Sequence, residues 1–215
     1  MTIEIPETIG TPFGPSVEGA SPALLSELLI GLEEELRKQG VPVDEYLRPG
    51  VPPAEVSAGF TECGLVAPEE AVVWFGWRDG PNRTPNSHKV MPMFLSWSLA
   101  ECVAAYVDPN GHPKGDEDWQ WDPAWIQIMG DANGLAISCA APADRAPLVR
   151  ALSWDWEFGT QPLQTLNQAV SLCTPVAWWV DALQHGWYHW NSDAHAWDTP
   201  DPFGQPRIRA LRGLS

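Results

Sequence analysis

Residues 125–139, WIQIMGDANGLAISC, place an Asn-Gly pair between two apolar runs. Ile126 and Ile128 precede the pair, and Leu135 and Ile137 follow it, each two positions apart. Asn-Gly tolerates the positive φ angles of a tight turn, so the pattern predicts a β-hairpin. A calcium loop is the alternative. It would need more oxygen ligands at regular spacing and an acidic twelfth position, and the chain supplies neither.

Apolar residues recur at helical spacing before the hairpin, where Leu24, Leu28, Leu32 and Leu36 form one stripe. Tight turns join the predicted strands, so we expect an antiparallel sheet flanked by helices, which is the α+β class in one domain. Capping-box spacing at 98–101 and 165–168 predicts two helix starts. The predicted helices are 22–39, 51–65, 67–80, 98–106 and 165–190, the last with a stop or kink at Thr174-Pro175. The predicted strands are 90–97, 126–128, 135–139 and 152–158.

The two ends of the chain lack periodicity. Residues 1–20 are predicted to be a flexible N-terminal leader, 21–190 the α+β domain, and 191–215 a Pro-rich C-terminal extension. The N-terminus has no signal-peptide pattern, and no apolar run approaches the roughly 18 residues of a membrane span. The four cysteines form no CxxC pair, so we expect buried, reduced thiols and a cytoplasmic protein.

The chain carries 28 acidic and 12 basic residues, a formal net charge of −16. This charge repels phosphate groups, so it disfavours binding to nucleic acids and to anionic membranes, whereas it attracts a basic protein partner. Acidity that serves only solubility is the other interpretation. The chain has no GxSxG, no phosphate-binding Gly-rich loop and no GxGxxG. We therefore expect no enzymatic activity, no catalytic residues and no cofactor.

Carboxylates alternate with indoles in the acidic loop before the hairpin. Lysine and arginine of a partner can pair with the acids and stack on the rings, at about 0.5–2 kcal/mol per cation–π contact. Tryptophan is also frequent among the residues that dominate binding energy at interfaces. Tryptophans packed beneath a solvated acidic loop are the alternative. The predicted partner-binding residues are Asp116, Glu117, Asp118, Trp119, Trp121 and Asp122.

Two other groups contain residue types that are found in metal sites or in glycosidase active sites. His185 and His189 share a face if a helix persists there, and Asp193 and His195 could complete a zinc site. Gly186 weakens that helix and the HExxH glutamate is missing, so we predict no metal. The stretch 154–157, WDWE, has the residue types of a glycosidase. Its two acids project to one strand face with no evident pocket, which favours a solvated face.

The order of these segments resembles the SUKH superfamily, the SMI/KNR family of cell-wall assembly regulators. Three segments carry the resemblance: GLVAPEEAVVWFGWRDG at 64–80, Pro92 followed by SWSLAECVAAY, and the hairpin WIQIMGDANGLAISC. The resemblance covers about residues 24–190. The sequence departs from the family pattern where Gln127 replaces the usual proline, where Met129 is inserted before Gly130, and in its Trp-rich C-terminal half.

The resemblance implies a single-domain α+β protein that binds other proteins. Many bacterial relatives look like immunity proteins that neutralise nuclease or other toxins, and fungal relatives take part in cell-wall signalling. The family brings no catalytic residues. The expected function is therefore non-enzymatic protein binding, as an immunity protein that occludes a basic, nuclease-like toxin. The alternative is a cell-wall-linked or carbohydrate-binding protein that uses the Trp-rich surface.

Overall fold

A computed structural model describes residues 3–82, 84, 87, 90–91, 95–107, 123–130, 133–140, 145–153 and 168–198. The helices in these ranges are α1 (Pro22–Lys38), α2 (Val43–Tyr46), α3 (Pro53–Glu62), α4 (Glu69–Trp77), α5 (Leu99–Val107) and α6 (Cys173–Gln184). The strands are β1 (Thr8–Thr11), β2 (Gly14–Val17), β3 (Leu47–Pro49), β4 (Arg78–Pro81), β5 (Trp125–Met129), β6 (Asn133–Ser138), β7 (Leu148–Ser153), β8 (Gln168–Val170), β9 (His189–Asn191) and β10 (Ala196–Asp198).

The central sheet is antiparallel, with the strand order β5-β6-β7-β8. The predicted hairpin is confirmed as β5–β6, in which Ile126 lies opposite Ile137. The predicted Asn-Gly turn is wrong, because Asn133 and Gly134 belong to β6, where they pair with Ser153 and Leu152 of β7, and Gly134 has no positive φ. The register shifts between Gln127 and Met129, which is the irregularity expected where a residue is inserted. Helices and an antiparallel sheet occur together, so the predicted α+β class is confirmed.

The two faces of the sheet belong to different apolar clusters. Ile126, Ile137 and Val149 face the main core, which also contains residues of all six helices. Trp125 and Ala136 form a second small cluster on the opposite face. Side chains alternate along a strand, so β5 contributes to both clusters. The whole strand is buried, including the polar Gln127.

Helix α1 forms the centre of the helical layer and packs against α4 and α6. The hydroxyl of Ser21 accepts a hydrogen bond from the Leu24 amide at 3.2 Å, which caps the first turn. The predicted leucine stripe is buried apart from the half-buried Leu24. No helix in the described ranges has both the length and the apolar character needed to cross a bilayer.

Some predicted elements are confirmed and others are wrong. Ser98 and Glu101 form the predicted capping box, with hydrogen bonds of 2.7 and 3.1 Å between each side chain and the other residue's amide. The second capping box does not start a helix, because Gln168 pairs with Arg150 in the sheet and α6 begins at Cys173. Helix α6 also ends at Gln184, short of the predicted 190, and β9 follows.

Two predicted strands differ in position from the observed ones. The strand predicted over 90–97 is represented only by an isolated bridge between Ser96 and Met129, and 92–94 lie outside the described residues. The strand predicted over 152–158 corresponds to β7, which begins four residues earlier. Residues 154–158 lie outside the described part of the chain.

Segments at both ends of the chain belong to the folded unit. Strands β1 and β2 form a hairpin within the predicted leader, and Val17 joins the core with 1% of its surface exposed. The indole of Trp178 donates a 2.9 Å hydrogen bond to the Thr8 hydroxyl. At the other end β9 pairs with β10, and Trp197 donates to the Val90 carbonyl at 3.2 Å. The prediction of a flexible leader is therefore wrong for 8–17, and the prediction of a C-terminal extension outside the fold is wrong for 191–198. Residues 199–215 lie outside the described residues, and the domain boundaries stay predictions.

Replacement by alanine should destabilise the protein at one glycine of the first hairpin and have little effect at the other. Gly14 has a φ of +115°, and a Cβ there would lie 2.3 Å from the Gln168 carbonyl oxygen, whereas a Cβ at Gly10 meets nothing within 4 Å. We expect Gly14→Ala to lower the free energy of unfolding by about 2 kcal/mol or more through backbone strain and collision. Gly10→Ala should change it by less than about 1 kcal/mol. Urea denaturation measures both, and equal stability of the two variants would contradict the packing of this hairpin.

Candidate functional site

The predicted partner-binding residues lie in the segment 108–122, outside the described residues. The chain on either side of it is described. The Tyr106 hydroxyl, in the last turn of α5, donates a 2.7 Å hydrogen bond to the Pro123 carbonyl, just before β5. The two ends of the segment are therefore held together. The predicted role of Asp116, Glu117, Asp118, Trp119, Trp121 and Asp122 stays a prediction.

The histidines considered for zinc do not converge. Nδ1 of His185 lies 2.8 Å from the Asp181 carbonyl oxygen, and Nδ1 of His195 lies 2.5 Å from the Tyr46 hydroxyl. His189 is on β9. Within the described ranges, no three histidine, cysteine or acidic side chains are arranged to hold a metal ion. The 154–157 stretch considered for sugar chemistry lies outside those ranges.

Most tryptophans serve the core. Nine of the thirteen lie in the described ranges, and none of these nine is classed as exposed. An indole that stacks on a sugar or on a partner's arginine must present a face to solvent. The described tryptophans therefore offer at most partly covered indole faces. The buried ones are Trp74, Trp125, Trp178, Trp179 and Trp190, and the half-buried ones are Trp77, Trp97, Trp187 and Trp197.

A network of charged side chains joins α1, α2 and β4. The Glu33 carboxylate accepts hydrogen bonds from Arg78 at 2.7 Å, from Arg37 at 2.8 Å and from the Trp77 indole at 2.9 Å. Asp44 accepts from Arg37 at 2.7 Å and from Arg78 at 3.0 Å. Two guanidinium groups are thus shared between two carboxylates, and their charges cancel locally.

The network shifts the pKa values of its members toward full ionisation. Burial alone would raise the pKa of Glu33, but hydrogen bonds from Arg78 and Arg37 outweigh it and lower that pKa. The hydrogen bonds from Arg37 and Arg78 lower the pKa of Asp44 to about 2. The acceptors in turn raise the pKa of both arginines, Asp44 chiefly for Arg37 and Glu33 chiefly for Arg78. All four groups are charged at neutral pH.

The remaining basic side chains of residues 3–82 are also paired. The Arg48 guanidinium donates to the Asp79 carbonyl at 2.7 Å and lies 2.8 Å from its carboxylate. The other oxygen of that carboxylate accepts from the Leu99 amide at 2.7 Å, at the start of α5. Lys38 pairs with Glu35 at 2.8 Å. All four lysine and arginine side chains in this range are therefore matched by an acid of the same chain.

The carboxylates that remain form the candidate functional surface. Residues 3–82 contain fourteen acidic and four basic side chains, a formal charge of −10. All four basic groups are paired internally, so the potential of this region is set by its exposed acids. We call these eight residues the acidic surface: Glu4, Glu7, Glu18, Glu27, Glu45, Glu55, Glu62 and Glu69.

From the sequence alone, the acidic site is placed in the single segment 116–122 and the acidic surface is not identified. The available signal was that no lysine or arginine precedes Arg37. The pairing of the later cations could not be derived from sequence, because the Arg78–Glu33 and Arg48–Asp79 pairs join residues far apart in the chain.

Glu70 is a buried acid with a structural role. Its side chain is 1% exposed, and its two oxygens accept 2.6 Å hydrogen bonds from the Ser171 hydroxyl and the Leu172 amide. These contacts hold the chain at the start of α6, where Ser171 has a φ of +76°. Burial raises the pKa of Glu70, although both hydrogen bonds oppose the change. Both oxygens are occupied, so the group ties α4 to α6.

Three thiols are made less acidic by burial, as their apolar sequence neighbours predict. Burial raises the pKa of Cys139 to about 12 and that of Cys173 to about 11. The pKa of Cys102 is raised well above its ordinary value for the same reason. A nucleophilic cysteine works as the thiolate, and these three stay protonated at neutral pH.

No protein-family model and no curated protein sequence matches the chain. The SUKH resemblance therefore rests on the order of its sequence segments, and the function it implies is an expectation.

Glu70 predicts a pH dependence of stability. The folded state raises its pKa above the ordinary 4.5, so the folded protein holds this proton more tightly than the unfolded chain. Its contribution to stability is therefore greatest below pH 4.5 and is lost as pH rises through the raised pKa. We expect the free energy of unfolding of the wild type, relative to Glu70→Gln, to fall across that window and then level off. Urea denaturation at a series of pH values measures it.

The matched control is Glu69→Gln, which changes the exposed neighbour of Glu70. The same pH series on this variant gives the effect of removing one exposed carboxyl group, against which the Glu70→Gln profile is compared. If the wild type and Glu70→Gln have parallel pH profiles, the carboxyl group is not the source of the dependence and the account of its burial is wrong.

Proposed function

We propose that this chain is a non-enzymatic protein-binding domain whose partner carries a basic surface. The observation that supports this is the division of charge in residues 3–82. The cations are bound to acids of the same chain, and eight glutamates remain exposed to solvent. A surface of one sign accelerates encounter with a partner of the opposite sign and disfavours partners of the same sign.

The SUKH resemblance suggests the class of partner. A nuclease toxin domain binds nucleic-acid phosphates and so carries a basic active-site surface. We propose that the chain acts as an immunity protein in the cytoplasm, where it covers that surface and prevents substrate from entering. The mechanism needs no bond to be made or broken by this chain. It requires only a protein surface whose shape and negative charge complement the basic surface of the partner.

The acidic surface gives this proposal its advantage over sugar binding. A carbohydrate site requires exposed aromatic faces, and none of the described tryptophans is classed as exposed. Sugar binding would rest on tryptophans outside the described ranges. Protein binding through charge rests on residues whose exposure and pairing are described.

The electrostatic proposal predicts a salt-dependent affinity. The tagged chain should capture a basic protein from its source lysate, and the captured protein should lose its own activity in the complex. The affinity should fall by about tenfold or more between low and physiological salt, mainly through a slower association rate. Surface plasmon resonance at several salt concentrations measures both rates. A partner whose affinity is indifferent to salt contradicts the proposal.

Two charge-reversal variants locate the contact. One changes Glu4, Glu7 and Glu18 to Lys, and the other changes Glu55, Glu62 and Glu69 to Lys, so the net charge changes equally in both. Both variants should associate more slowly, because long-range steering depends on total charge. The variant that alters the docking face should also dissociate faster. If both sets leave the association rate unchanged, the acidic surface does not guide the encounter.

A further inference from the structure

One edge of strand β1 is not paired with any strand in the described part of the chain. The strand pairs with β2 on one side, and the sheet they form has only these two strands. On its other side no strand of the described ranges pairs with it. A strand edge of this kind presents N–H and C=O groups that a further strand can bind.

The register identifies which backbone groups face outward. The Glu18 amide donates to the Glu7 carbonyl at 2.9 Å, so this opposed pair is hydrogen-bonded. Bonded pairs alternate along an antiparallel ladder. Ile9 and Thr11 therefore face β2, and the N–H and C=O groups of Thr8 and Gly10 point away from it. No hydrogen bond within the described ranges involves those outward groups.

The edge strand has four residues, and this shortness limits edge pairing, but those four residues carry none of the other features that block it. The strand sequence is TIGT, with neither proline nor a charged residue. Inward charges, proline and bulges are the common devices that prevent another strand from adding. The Ile9 side chain is 44% exposed, and space is open beside the Gly10 Cα. An added strand would therefore find an apolar side chain to cover, and the face of the hairpin at Gly10 is open.

The charges around the edge select the occupant. Glu4, Glu7 and Glu18 are exposed near the start of the strand, and no lysine or arginine occurs before Arg37. Arg145 stacks on Phe13, 4.3 Å from its ring centroid, at the far end where the hairpin turns. A second copy of this chain would bring another net charge of −16 and is repelled. A basic segment is attracted.

We infer that β1 is a docking edge, which an extended basic segment of the partner joins as a third strand. The inference rests on the proposed function and specifies how the partner binds. Main-chain hydrogen bonds to Thr8 and Gly10 supply affinity in this mode, and side chains supply specificity. Side chains alternate along a strand, so Glu7 and Ile9 project to one face. The matching segment carries a lysine or arginine two positions from a β-branched or aromatic residue.

The test uses a fluorescein-labelled nine-residue peptide in which lysine and valine alternate. We expect it to bind the full chain, measured by fluorescence anisotropy, and to slow hydrogen exchange of the Thr8 and Gly10 amides by about tenfold or more. A peptide of equal length and charge that alternates lysine with proline cannot pair as a strand. It should bind at least about tenfold more weakly.

Gly10 supplies a matched pair of protein variants. Gly10→Pro removes an outward N–H and leaves the ladder bonds of Ile9 and Thr11 in place, whereas Gly10→Ala keeps that N–H and has room for its Cβ. Gly10→Pro should lose at least about tenfold in affinity for the lysine–valine peptide, and Gly10→Ala should bind it like the wild type. The peptide comparison provides a test that does not depend on Gly10→Pro folding.

The outcomes separate this inference from the proposed function. If both basic peptides bind equally, or if protection appears away from Thr8 and Gly10, edge docking is overturned while binding through charge survives. If neither peptide binds, edge docking is again overturned, and the salt dependence of the captured partner tests the function separately. If light scattering shows a dimer with these amides already protected, the occupant is a second copy and the inference is wrong.

Discussion

The first eighty residues of the fold depend on a few basic side chains that join distant elements. Arg78 and Arg37 connect α1, α2 and β4 through Glu33 and Asp44, and Arg48 connects β3 to β4 through Asp79. Groups at these joints satisfy one another and so are not available to a partner. The surplus of acid has no internal counterpart, so it remains at the surface. One constraint, the scarcity of cations, thus shapes both the interior contacts and the exterior potential.

Much of the helical layer and the central hairpin could be predicted from sequence, because their signals are local. The leucine stripe of α1, the Ser98 capping box and the alternating apolar residues of β5 and β6 each lie within a few residues. The position of the turn was missed, because pairing with β7 extends β6 back to Asn133. The start of α6 could not be predicted in the same way. Gln168 pairs with Arg150 in the sheet, and Ser171, just before the helix, donates a hydrogen bond to Glu70, which lies 101 positions earlier in the sequence. Tertiary contacts overrode the local signal at 165–168.

For the candidate site, too, only the properties that depend on local sequence or composition could be predicted. Net charge and the lack of catalytic motifs were readable from the sequence and indicated a surface function. Which carboxylates are free depends on ion pairs between distant residues, and those became visible only in the fold. Many of the described tryptophans serve the core, as Trp74 and Trp179 do where they pack against each other with ring centroids 6.4 Å apart. Short strands such as β1 could not be predicted, because four residues are too few to show a clear alternation of apolar and polar positions.

The proposed function requires the exterior of residues 3–82 to be negative enough to select a basic partner. The most direct measurement compares the paramagnetic relaxation of exposed amides in the presence of cationic and anionic nitroxide probes, which reports the potential near each residue. We expect the cationic probe to relax the amides of Glu7, Gly10 and Glu62 several-fold more strongly than the anionic probe, and added salt to reduce the difference. Equal relaxation by the two probes at low salt would contradict it.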